Sequence, residues 1–171
     1  MSRLSRSVLL AFAAAVVAGT CLHFVYDLLP CPVTALFAPV SESIWEHSKL
    51  IYWPALLAGL LLERREPGLL GQRAASLLLA VGVMLALGWL YHIPLGGEAL
   101  LVDIALYVLS MGIAFFLPFF LPGEIWSKQK ELLLLLVIAL GAVSLVFTFL
   151  PPPGLLFTDL SGANTWSSYP Y

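Results

Sequence analysis

Three histidines, several carboxylates and one lysine stand in or beside long apolar runs of this chain. They are His23, His47, His92, Asp27, Glu42, Glu46, Asp103 and Lys49. Imidazole nitrogen and carboxylate oxygen are ligand atoms that zinc takes, and a catalytic zinc keeps one position open for water or substrate. His23, His47 and His92 are therefore candidate metal ligands. Glu46 is a candidate general base beside such an ion, and His47 is its candidate catalytic neighbour. The same groups could mark an ion or proton path, or pair with one another to fix helix packing.

Spacing sorts these residues on a helix. His23 and Asp27 are four apart and share a face. Glu42, Glu46 and Lys49 follow an i, i+4, i+7 line, whereas His47 points about 100° away from Glu46. Ser43 and Glu46 match the S-x-x-E capping box that opens a helix. The chain has no H-E-x-x-H, no G-x-S-x-G, no P-loop and no dinucleotide fingerprint. Ser48 adjoins His47, but consecutive helix residues do not face each other.

The elements that position these groups follow from composition. The 171 residues are 61% hydrophobic and 11% charged, against roughly a quarter charged in soluble domains. So few charges cannot cover a water-facing surface, and much of this one must face lipid. A span needs about 20 apolar residues of helix. Five stretches qualify, at about 8–29, 41–62, 74–92, 99–121 and 132–150. Pro30, Pro32, Pro94, Pro122 and Pro151 to Pro153 mark the breaks. The first stretch is too long for the core of a secretory signal and reads as a retained helix. Cys21 and Cys31 differ in depth, so no disulfide is expected between them.

Charge sets the topology. Arg3, Arg6, Arg64, Arg65, Arg73, Lys128 and Lys130 are seven of the eight Lys and Arg residues. All fall on one side of a five-helix arrangement, which places the N-terminus inside and the tail 151–171 outside. The expected fold is an all-α, five-span membrane bundle. With one helix ending near Leu29, another starting near Ser41 and a third near Glu98, His23, Glu46, His47 and Asp103 all lie about 8–9 Å below the outer boundary. Ionisable groups at that depth should face each other or a wet cavity. Asp103 has no basic neighbour in its own helix and needs a partner from another. The tail, with Trp166, Tyr169 and Tyr171, is expected to fold back along the outer interface and bring Asp159 near the site.

The segment FAPVSESIWEHSKLIYWP, Phe37 to Pro54, resembles a family of small bacterial integral membrane proteins of unknown function, whose signature reads approximately P-V-N-E-S-x-W-E-H-x-K. Pro39, Val40, Glu42, Ser43, Trp45, Glu46, His47 and Lys49 match it, and Ser41 replaces the Asn. HFVY at the end of the first helix and PPPGLLFTD in the tail are similar to the family as well. The resemblance implies that His23, Glu42, Glu46, His47 and Lys49 belong together, and it brings no activity.

Three functions fit these readings. The first expectation is a binding, assembly or accessory role for the polar layer. The alternatives are a small-solute or proton-coupled transporter and a membrane-embedded hydrolase, with a metal ion as cofactor. The expected location is the bacterial inner membrane, with the lipid bilayer as partner and self-association as a further expectation. A net charge of −2 with no basic stripe speaks against nucleic acid.

Overall fold

The computed structural model describes residues 5–161, which are helical with no strand among them. Helix α1, Arg6–His23, starts where the Ser5 side chain accepts from the Val8 amide. It ends at Phe24, and a short α2, Val25–Leu28, follows at once. Pro32 opens α3, Pro32–Phe37, in the first turn, where proline loses no hydrogen bond. Then come α4, Ile44–His47, and α5, Lys49–Arg65, separated by Ser48. Helix α6 is Leu70–His92, and α7 is Leu100–Phe116, extended by a 3-10 turn at Leu117–Phe119. Helices α8, Gly123–Lys128, and α9, Lys130–Phe149, precede a last 3-10 turn at Leu155–Phe157.

Among the described residues, four helices are long and apolar enough to cross a membrane: α1, α6, α7 with its 3-10 extension, and α9. Most of each lies at the surface of the bundle. Apolar side chains such as Leu10, Leu101 and Ile138 point outward, as they would toward lipid. The stretch expected to span at 41–62 is divided between α4 and α5 and does not join these four. The stretch expected at 8–29 is interrupted at Phe24. The expected spans at 74–92, 99–121 and 132–150 coincide with α6, α7 and α9 to within a few residues.

Helices α1, α5, α6 and α7 pack together, with α5 and α7 also in contact across the group, while α9 lies outside it against α6. Val8, Ile51, Ala55, Leu77, Met111 and Phe115 fill the group's interior. Two tyrosines tie helices together through helix backbone. The Tyr107 hydroxyl donates to the Val16 carbonyl at 2.9 Å, and the Tyr52 hydroxyl to the Val137 carbonyl at 2.9 Å. Both approaches use a glycine: a Cβ at Gly19 would overlap Tyr107, and one at Gly141 would overlap Tyr52. Small residues allow such close contact between membrane helices. At the end of the group where α5 stops and α6 starts, Arg73 pairs with Glu63 at 3.3 Å. The candidate residues lie at the opposite end.

Candidate functional site

The end of α1 and the start of α4 meet at the site. Ser43 caps α4, its hydroxyl accepting from the Glu46 amide at 3.2 Å. That cap aims His47 back toward α1. His47 Nε2 lies 3.3 Å from His23 Nε2 and 3.2 Å from Glu42 Oε2, and His23 Nε2 lies 3.8 Å from the same oxygen. The other ring nitrogen of His47 lies 2.8 Å from the Ser43 carbonyl oxygen. Glu42 sits in the loop ahead of α4. The hydrogen bond from His47 holds its carboxyl below the ordinary value; burial opposes this, and the charge of His47 and His23 adds to it.

A second pair faces the same space. His92 Nε2, from the end of α6, lies 3.0 Å from Asp103 Oδ1 on α7, and His92 Nδ1 lies 2.9 Å from the Gly97 carbonyl oxygen. Asp103 thus finds its partner on another helix. Oxygen lies within hydrogen-bonding distance of both ring nitrogens of His92. His92, a candidate ligand on sequence grounds, lies beside Asp103 and outside the group formed by His23, Glu42 and His47.

These five residues line one cavity of about 590 Å³, between the ends of α1, α4, α6 and α7. Its deeper walls are apolar, with Leu50, Met84 and Leu106, and Tyr107 beside them. The C-terminal segment closes over part of it: Leu160 and Ser161 line the cavity, and the Leu160 amide donates to the Glu42 carbonyl at 3.4 Å. Phe157 holds this segment down against Trp45 and Phe147, with ring centroids 5.2 and 5.5 Å away. Asp159 accepts from Ser161 and does not line the cavity. Trp166, Tyr169 and Tyr171 lie outside the described residues.

Glu46 and Lys49 are placed elsewhere. Lys49 is 0% exposed and Glu46 1%. The ammonium donates to Glu46 Oε2 at 2.6 Å, to the Ala35 carbonyl at 2.8 Å and to the Ala38 carbonyl at 3.3 Å. An ammonium has three donors, and all three are used. Glu46 Oε2 also accepts from the Val40 amide at 3.0 Å. This pair therefore pins the segment 35–40, whose buried carbonyls need partners. Glu46 does not line the cavity and is not placed to act as a base there. Nor does it complete the capping box: the Ser43 half forms, while the Glu46 side chain goes to Val40 rather than to Ser43. Asp27 is exposed and also lies off the cavity. The break at Phe24 removes the continuous helix that the His23–Asp27 spacing assumed.

Two ionisable lining residues were not among the site candidates drawn from the sequence. Glu98 reads as a helix N-terminal acid and yet faces the cavity. Tyr107 follows Asp103 by four on α7, and that spacing was the available signal.

No curated protein and no solved structure matches this chain. A family model does match residues 1–164, nearly the whole sequence. The chain belongs to that family, a family of unknown function (DUF6512).

Proposed function

We propose that this is a five-span protein of a bacterial cell membrane that binds an amphiphilic molecule in a cavity open to the outer face. The carrying observation is that ionisable side chains from α1, α6, α7 and the loop and helix at Glu42–His47, paired as they are, all line one open cavity. A polar layer that served packing alone would resemble Glu46–Lys49, which is shut away from the cavity with all three ammonium donors used. The cavity's volume falls within the roughly 300–1,000 Å³ of small-molecule sites. Its polar rim suits a head group, and its apolar depth suits a short hydrocarbon segment.

The fifth span is α4 with α5. Ile44 to Arg65 rises about 33 Å as helix, enough for a hydrocarbon core of about 30 Å. The Arg and Lys residues near α5, α6 and α8 then face the cytoplasm, and the cavity and tail face outward. Transport draws less support, because Leu50, Met84 and Leu106 line the deeper wall and offer no ionisable step toward the other face.

A dansyl-labelled fatty acid titrated into the full chain in nanodiscs tests the reading. Saturable fluorescence is expected, and Leu106→Trp, which fills the cavity, should weaken it at least about tenfold, about 1.4 kcal/mol. Equal binding by both proteins, or by empty nanodiscs, would remove this function.

A further inference from the structure

We propose that His23, Glu42 and His47 hold a divalent transition-metal ion of the zinc class, with an open coordination position facing the cavity. The inference goes beyond amphiphile binding and rests on different observations. Zinc lies about 2.0–2.2 Å from nitrogen and oxygen ligands, so two ligands of a tetrahedral site stand about 3.3–3.6 Å apart. The three atoms here are separated by 3.2, 3.3 and 3.8 Å. Two imidazoles with one carboxylate form a set that zinc and neighbouring first-row ions take, whereas calcium and magnesium favour oxygen alone.

Hydrogen-bond chemistry leads to the same place. The Ser43 carbonyl can only accept, so His47 Nδ1, 2.8 Å away, carries a proton. In the neutral ring Nε2 is then a bare lone pair, whereas a proton there would donate to Glu42. The lone pair points at Glu42 Oε2, an acceptor when ionised, and at His23 Nε2. A neutral His23 could donate to His47, but Glu42 would still face a lone pair. One cation bound to all three atoms satisfies them together. The Ser43 carbonyl is the kind of outer group that fixes the tautomer of a metal-bound imidazole. Three protein ligands plus a position toward the cavity is the pattern of catalytic rather than structural zinc. Such an ion would act there as a Lewis acid on an oxygen of the bound molecule.

The full chain, carrying a purification tag without histidine, is stripped with chelator and titrated with zinc alone by calorimetry. Cobalt(II) loading of the same sample is read by visible absorption. About one zinc per chain is expected, with cobalt d–d bands of a four- or five-coordinate site. His23→Ala, His47→Ala and Glu42→Gln should each weaken zinc at least about tenfold, while His92→Ala should change it less than about twofold. The cobalt spectrum of the unmutated protein needs no variant to fold. No saturable zinc and no cobalt bands, or zinc affinity unmoved by His47→Ala, would overturn the site and leave a proton in the cluster. Dansyl fatty-acid binding in the same preparation keeps the two readings separate. Fatty-acid binding in a protein that takes up no zinc sinks the metal site alone, and zinc binding without fatty-acid binding sinks only the amphiphile reading.

Discussion

Glu46 and His47 are neighbours in the chain and serve opposite sides of α4. Glu46 closes on Lys49 at 2.6 Å inside the protein, and His47 reaches His23 at 3.3 Å beside the cavity. The 100° step between consecutive helix residues accounts for the split. One turn of helix thus joins a packing device to a ligand-facing group, and the two can be perturbed separately.

The packing side should be costly to break. Removing one partner of a buried ion pair strands the other charge and costs about 3–5 kcal/mol. Lys49→Met is expected to destabilise the protein by that order and to free the segment 35–40. The double variant Lys49→Met with Glu46→Leu should recover part of the loss. Denaturant unfolding in mixed micelles measures both, and equal stability of Lys49→Met and the unmutated protein would show that the pair does not hold the fold.

The pair on the far wall should behave differently. Asp103 is more than a third exposed, so water screens its attraction to His92. Asp103→Asn is therefore expected to lower stability by no more than about 1 kcal/mol. It should shift fatty-acid affinity by more than that, because both partners line the cavity. Unfolding and dansyl titration of the same variant compare the two. A large stability loss with unchanged affinity would make His92–Asp103 a packing contact.

Gly19 tests the close approach below the cavity. Any side chain there meets the Tyr107 hydroxyl and the Leu50 carbonyl. Gly19→Leu is expected to cost about 1–3 kcal/mol by overpacking and to narrow the cavity from beneath. A neutral effect on both unfolding and ligand binding would show that α1 can move away from α5 and α7 freely.

Phe157 tests the closing segment. Its packing on Trp45 and Phe147 holds Leu160 over the cavity. Phe157→Asp should release the segment, so limited proteolysis near Leu155 to Leu160 speeds up while the helices stay intact. Proteolysis at an unchanged rate would mean that other contacts retain it.

Hydropathy made the helical bundle legible, because runs such as Leu132 to Leu140 can only be apolar helix. The meeting of His23, His47 and Asp103 at one cavity was legible too, since rise per residue puts them near one level. The division of the polar layer was harder to read. It depends on where α3 and its flanking loops fold, and that short segment carries no sustained periodicity. Its buried carbonyls at Ala35 and Ala38 draw Lys49 inward, and its Val40 amide draws Glu46, a demand of backbone satisfaction that no side-chain pattern announces. The break at Phe24, which separates His23 from Asp27, likewise carries no proline or glycine signal. Pairing between helices, such as His92 with Asp103, required the packing order of α1, α5, α6 and α7.

Whether water from the outer face reaches the cavity is the most direct test. Leu106→Cys, in a chain with Cys21 and Cys31 changed to Ser, places a thiol on the cavity wall. Ser110→Cys, one turn further along α7 at a buried position, is the control. In intact cells, a small membrane-impermeant thiosulfonate should modify position 106 and spare position 110, and bound fatty acid should slow the reaction at 106. A thiol at 106 that reacts only after the cells are opened, or never, would contradict the outward cavity and every role built on it.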